Sequence, residues 1–289
     1  MFGTNRYTLT GFITVAALIC AGCRQVTPPP LPNVVVKSVS SLPTDLADAA
    51  WSAAPQYTAK LILQDLVEPR LLEASTSEVR VRAMSDGDAL ACRLEWDDAS
   101  ANDLPGPEQF LDACAIQLPA TTEPTVPAPQ MGEVGRPVEI CYWNAAFQAM
   151  VDGRADSLAA LYPNAAVDHH PFEAKSLDND PAAQREMAAR YAPARALGNL
   201  RAGPRESPVE DLVADGPSTL TRAPSHRSKG RGVRTATGWD VVIVRPLPTG
   251  FTAETPTQVA FAVWQGEAHE VGARKMRTGW IPLTLEAAP

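Results

Sequence analysis

Residues Val79 to Ala83 alternate apolar with charged side chains, Asp86-Gly87 interrupts them, and Ala89 to Trp96 resume the alternation. A period of two suits a strand with one buried and one wet face, and Asp-Gly favours the positive backbone dihedrals of tight hairpin turns. On that pairing Leu90, Cys92, Leu94 and Trp96 share one face. Further strand patterns run over Leu61–Leu63, Ala113–Leu118, Val138–Trp143, Trp239–Arg245, Gln258–Trp264 and Trp280–Leu285. Many short strands punctuated by Gly and Pro favour two packed sheets over a helix bundle or a βαβ array. The expected fold is mostly β, an antiparallel β-sandwich with attached helices.

The middle of the chain changes character. Ala145 to Tyr162 has helix-compatible apolar spacing, and Asp180 to Leu197 is rich in Ala, Arg and Glu, with Pro181 suited to a helix first turn. From Pro217 to Gly232 the residues are mostly Ser, Thr, Arg, Lys and Gly, which reads as an exposed loop. No internal repeat of convincing period is found.

At the start, Arg6 precedes an apolar stretch from Gly11 to Ile19 and then Cys20-Ala21-Gly22-Cys23. The stretch is well short of the ~20 residues that a bilayer requires, so it reads as a secretory signal. Small residues before Cys23 suggest a lipoprotein cleavage site with Cys23 as the acylated first residue, although Cys20 stands where a Leu is usual. Cleavage without a lipid is the plainer alternative. A redox reading of Cys20 and Cys23 lacks a surrounding βαβ pattern. The prolines after Cys23 favour an extended spacer. The expected division is a signal peptide over 1–22, a lipidated cysteine and Pro-rich linker over 23–44, and one folded domain over 45–289.

The formal net charge is −8, and loss of the leader with Arg6 makes it one unit more negative. A basic stripe for nucleic acid is therefore not expected. Cys92, Cys114 and Cys141 sit in apolar strand-like runs, where buried thiols and a disulfide are both open readings. Their wide spacing does not match an iron–sulfur or zinc site. Asp97-Asp98 and Glu210-Asp211 are acidic pairs with no catalytic companion, so capping or solvated roles suit them better than glycosidase chemistry. No G-x-S-x-G, phosphate-binding glycine loop or C-x-x-C-H is present.

Several ordered segments carry a resemblance. They are Asp112–Pro119, Met131-Gly132, Val138–Ala145, Ser207–Gly216, Gly238–Leu247 and Val259–Gly266, ending at Lys275 and Trp280. Together they resemble the haem-b-binding γ subunits of periplasmic molybdenum enzymes related to dimethyl sulfoxide reductase, among them ethylbenzene, dimethyl sulfide, selenate, chlorate and nitrate-converting complexes. The likeness covers roughly residues 45 to 285. It implies a β-sandwich holding one haem b, with Met131 and Lys275 as the two axial ligands of the iron. Gln130 stands where the family often has an apolar residue.

Two protein ligands leave no open coordination position, which suits electron transfer rather than catalysis. Lys275 can ligate only as the neutral amine, and it is the only lysine after Lys229. Arg274 stays protonated and is better suited to a salt bridge with a haem propionate or a protein carboxylate. Trp143, Phe261 and Trp264 are candidate walls for the porphyrin, although aromatic residues in strands also serve as plain core. His169-His170 is the rival ligand pair, but adjacent side chains diverge.

The resemblance further implies partners: an iron–sulfur subunit, a molybdopterin catalytic subunit and an external carrier such as a cytochrome c. The chain itself would not be an enzyme. Contact with the membrane would be by the lipid anchor only, on the periplasmic side. The competing expectations are a haem-free lipoprotein binding a carbohydrate or another small ligand, and a structural or assembly subunit.

Overall fold

The computed structural model describes residues 32–43, 45–155, 158–164, 179–191 and 205–286, together with residues 1, 193, 194, 197, 199, 201 and 203. The proposed leader, Cys23 and the His169-His170 pair lie outside the described residues. Among those described, no helix is long and apolar enough to cross a membrane.

The alternating runs become β4 (Glu78–Ser85) and β5 (Ala89–Asp97), paired antiparallel from Arg80 opposite Glu95 to Ser85 opposite Leu90. Of the two turn residues only Gly87 has a positive φ, +96°. The link is accordingly a longer loop than a primed two-residue turn. The Asp86 carboxylate accepts from the N–H groups of Asp88 and Ala89 at 3.1 and 2.9 Å and closes it.

One layer runs β10 (Lys229–Arg234), β11 (Gly238–Pro246), β5, β4, β1 (Val34–Ser38) and β14 (Ile281–Leu285). The other runs β3 (Ile62–Leu63), β13 (Met276–Arg277), β12 (Thr257–Trp264), β6 (Ala113–Pro119), β7 (Val138–Asn144), β8 (Val209–Ala214) and β9 (Thr221–Arg222). β12 belongs to both, pairing β14 through Thr257–Val259 and β6 through Ala260–Trp264. A short β2 (Tyr57–Lys60) flanks β4. The protein is a mostly β sandwich.

Two expectations need correction. Val34–Ser38 is not linker: β1 is inserted between β4 and β14, with Val34 and Val36 fully buried. It pairs parallel to both neighbours, so the sheet is mixed rather than wholly antiparallel. The segment 217–232 is not all loop either. Lys229–Arg234 is an edge strand on β11, disguised by Gly230 and Gly232. A Cβ on Gly232 would lie 2.2 Å from the Trp143 ring, so only glycine lets that backbone meet the indole.

The helical middle appears as α1 (Ala145–Val151), α2 (Leu158–Leu161) and α3 (Pro181–Tyr191). Asn144 caps α1 by accepting the N–H of Phe147 at 2.8 Å, and the backbone reverses at Gly153, where φ is +109°. Asp180 caps α3 ahead of Pro181.

Between the layers, Trp143 stands edge-on to Trp96 and Trp239, with ring centroids 6.3 and 5.2 Å away. Its indole N–H donates to Gln148 Oε1 at 3.2 Å, and the same oxygen accepts the N–H of Gly232. Trp143 is therefore a core residue joining both layers to α1, not a pocket wall. Cys92, Cys114 and Cys141 are buried free thiols, and desolvation pushes the first and last up to about 12. Trp143→Ala is expected to cost about 3–5 kcal/mol in urea denaturation, the range for emptying a buried aromatic site. A cost under ~1 kcal/mol would contradict this placement.

Candidate cofactor site

Because side chains alternate across a strand, the second layer presents two different faces. Cys114, Ile116, Leu118, Cys141, Trp143, Val259, Phe261, Val263 and Met276 point into the sandwich. Ala113, Ala115, Ile140, Leu212, Ala262 and Trp264 form an apolar cluster on the outer face, with Met131, Tyr142 and Trp280 packed against it. Over that face lies a cavity of about 680 Å³, within the roughly 300–1,000 Å³ of cofactor and small-molecule sites. Ala115, Ala260 and Ala262 line it, so small side chains give it a low, flat apolar floor.

Met131 enters from the loop between β6 and β7. Its φ of +67° is uncommon for a residue with a side chain, and Gly132 follows at +80°. The loop is pinned from three sides. Gln117 Nε2 donates to the Pro129 carbonyl at 3.0 Å, the Gly216 N–H donates to the Met131 carbonyl at 2.9 Å, and the Trp280 indole donates to the Pro127 carbonyl at 2.7 Å. A Cβ on Gly132 would press to 3.0 Å on the carbonyl oxygens of Ala214 and Arg136.

Lys275 enters from the loop before β13. The Trp264 indole donates to the Gly272 carbonyl at 3.1 Å, and the Gln64 N–H donates to the Lys275 carbonyl at 3.1 Å. The buried Gln64 amide also donates to the carbonyls of Val67 and Ala273 and accepts from the N–H groups of Leu66 and Val67. One side chain thus ties together two loops that wall the cavity. Lys275 Nζ lies 5.1 Å from the Trp264 ring centroid. Burial first, and then the charge of Arg277, pull its amine down from the ordinary 10.5 to about 8.

Met131, Lys275 and Trp264 are brought together as pocket-lining residues. Phe261 borders the cavity, but its side chain belongs to the main core on the other face of β12. Trp143 is likewise on the wrong face of β7; Tyr142 and Ile140 line the cavity instead. Arg274 lies outside the lining. Its guanidinium sits 5.9 Å from the Phe110 centroid and pairs with no carboxylate among the described residues. Sequence reasoning missed Gln64, Tyr142, Arg201 and Arg277 at the cavity. Strand parity was the available signal for Tyr142, since Ile140 and Tyr142 alternate with Cys141 and Trp143.

The acidic pairs have structural tasks. Asp97 pairs with Arg80, Asp98 accepts the N–H of Ser100, Glu210 holds Arg201 in a two-oxygen grip, and Asp211 accepts the N–H groups of Arg227 and Ser228.

The outer face of the sandwich thus carries an apolar cavity of about 680 Å³ with a thioether and a desolvated amine on its walls. The sequence model of the ethylbenzene dehydrogenase family matches residues 48–276, and the chain belongs to that family. It is 25% identical to a Haloferax mediterranei protein named as a respiratory nitrate reductase haem subunit, over 95% of this chain and 81% of that one. It is 22% identical to the chlorate reductase subunit gamma of Ideonella dechloratans, over 98% of this chain and 95% of that one. Among solved structures, a family 9 carbohydrate-binding module from Caldicellulosiruptor kristjanssonii in complex with cellotriose is similar at a TM-score of 0.46 and 11% identity. That likeness covers 89% of this chain and 94% of that one, and is too distant to bear on a ligand.

A lysine whose pKa is lower folded than unfolded binds fewer protons in the native state, so stability rises with pH between the two values. In the ligand-free protein the fall from 10.5 to about 8 costs up to about 3 kcal/mol at pH 7. Lys275→Met is expected to recover that amount in urea denaturation at pH 7. The pH-dependent part of the gain should shrink as pH rises from about 8 and vanish above about 10.5. A gain independent of pH would contradict the account.

Proposed function

We propose that this chain is an electron-transfer subunit that carries one haem b, whose iron Met131 and Lys275 would hold. The observation that carries the reading is that these two residues, far apart in sequence, line one apolar cavity with the lysine amine already poised toward its neutral form. The names of the two relatives, a haem subunit and a γ subunit of reductases, support it.

The residues present fit the group. A thioether and a neutral amine are both competent iron ligands, and the alanine floor accepts a flat macrocycle. When bound, haem b supplies a one-electron couple at an iron closed to substrate. Everything else falls to this chain. Desolvation by the cavity walls brings Lys275 down to about 8, so that giving up its proton to solvent costs less and ligation would supply the remainder. The pinned loop at Pro127–Gly132 holds the backbone from which Met131 reaches the cavity. Trp264, with Tyr142 edge-on against it, gives the lysine amine an apolar neighbour.

In this reading the subunit is not itself an enzyme. It relays electrons between the iron–sulfur subunit of a molybdopterin oxidoreductase and an external carrier such as a cytochrome c. It works on the periplasmic side, exported by residues 1–22 and held to a membrane by acylated Cys23.

The test is the reduced-minus-oxidised visible spectrum with a pyridine haemochrome assay on the purified protein, Met131→Ala and Lys275→Ala. A b-type spectrum of six-coordinate iron is expected in the wild type, changed by each substitution. A protein that stays colourless after reconstitution with haem would sink the proposal.

A further inference from the structure

Five charged side chains line the cavity: Glu68, Arg201, Glu270, Lys275 and Arg277. Three have ionic or hydrogen-bonding partners in the protein. Glu68 pairs with Arg70, Arg201 with Glu210, and Glu270 accepts from the Ser75 hydroxyl and the Gln265 N–H. Lys275 is accounted for as an iron ligand. Arg277 is left over.

Arg277 is 9% exposed. Among the described residues its side chain makes one hydrogen bond, a long one from Nη1 to the Thr278 carbonyl at 3.4 Å, and its Nε is buried without a partner there. Among the described residues no carboxylate forms an ion pair with it. The contrast with Arg245 is informative: that residue is buried to a similar degree, but it pairs with Glu139. A guanidinium stays protonated at any working pH, so burial without a counter-ion carries a heavy desolvation cost. Its direction is set by the pleat. On β13, Met276 faces the sandwich core and Arg277 the opposite, pocket face, directly beside Ala262 of the floor, and Lys275, just before the strand, also lines the pocket.

We infer that Arg277 is the counter-ion for an anionic group of the molecule this cavity takes, namely a propionate carboxylate of haem; this rests on the haem reading above. A planar fork with an unused Nε–H matches a carboxylate better than a point charge does. The flat alanine floor and the cation at its edge together select a ligand that is apolar over most of its area and acidic at its margin. Arg277 would thereby fix which edge of the macrocycle enters first, and Arg274, outside the lining, would take no part.

The test compares the binding of ferric protoporphyrin IX with that of its dimethyl ester, each titrated from dimethyl sulfoxide into the full chain and followed by Soret absorbance and tryptophan fluorescence. The wild type is expected to bind the diacid roughly tenfold or more tightly than the ester, the worth of one charge-assisted pair. Arg277→Gln should lose most of that preference by weakening diacid binding while leaving ester binding nearly unchanged, and Arg277→Lys should restore part of it. A wild type that binds both forms equally, or an Arg277→Gln protein that keeps the preference, overturns the role of Arg277 and leaves the haem reading standing. A wild type that binds neither form overturns both. Where Arg277→Gln fails to fold, Arg277→Lys decides: a protein that keeps the whole wild-type preference overturns the role of Arg277.

Discussion

The structure depends on a layer buried on both faces. In most sandwiches a sheet has one face in the core and one in water, and its strands read as alternating apolar and polar residues. Here β6, β7 and β12 carry apolar residues on both faces, with the alanines Ala115, Ala260 and Ala262 on the outer one, because the outer face is the floor of the cavity. Continuous apolar runs such as Ala113–Leu118 follow from this. A substitution on the floor touches ligand binding, whereas its neighbour one position along touches the core.

That double burial explains what could be read from the sequence. The apolar or alternating runs of β5, β6, β7, β11, β12 and β14 were legible as strands, the hairpin of β4 and β5 announced itself through Asp86-Gly87, and β8 was not marked as a strand. The face of each aromatic residue was not legible, since a strand apolar on both sides gives no contrast to set its parity. Trp143 and Phe261 therefore belong to the core, while Tyr142 and Trp264 stand at the cavity. β10 escaped notice because Gly230 and Gly232, needed under Val209 and Trp143, give its sequence the composition of a loop. β1 escaped because its valines follow directly on a proline-rich stretch.

At the site, the residues with distinctive chemistry were visible and the residues that hold them were not. Met131 and Lys275 emerged from a resemblance spread over many segments. Gln64, buried and bonded to two loops far apart in sequence, has no local signature, because its partners are backbone groups that any residue would supply. The same holds for Trp280, whose indole reaches back to Pro127. Placement of both candidate ligands is thus delegated to side chains bonding carbonyls from a distance, which lets loop sequence vary while the loop's position is kept.

The parallel pairing of β1 with β14 has a kinetic meaning. Val34 lies opposite Leu283, so a strand near one end of the described chain is completed by one near the other. Contacts of such wide sequence separation form late and slowly, since a long loop must close before they return any energy. The chain would then remain unsealed for as long as β14 is missing, with the buried valines of β1 lacking one neighbour. Lys275 precedes β14 by only a few residues, so the wall that carries it takes its final place in the same late step that seals the sandwich.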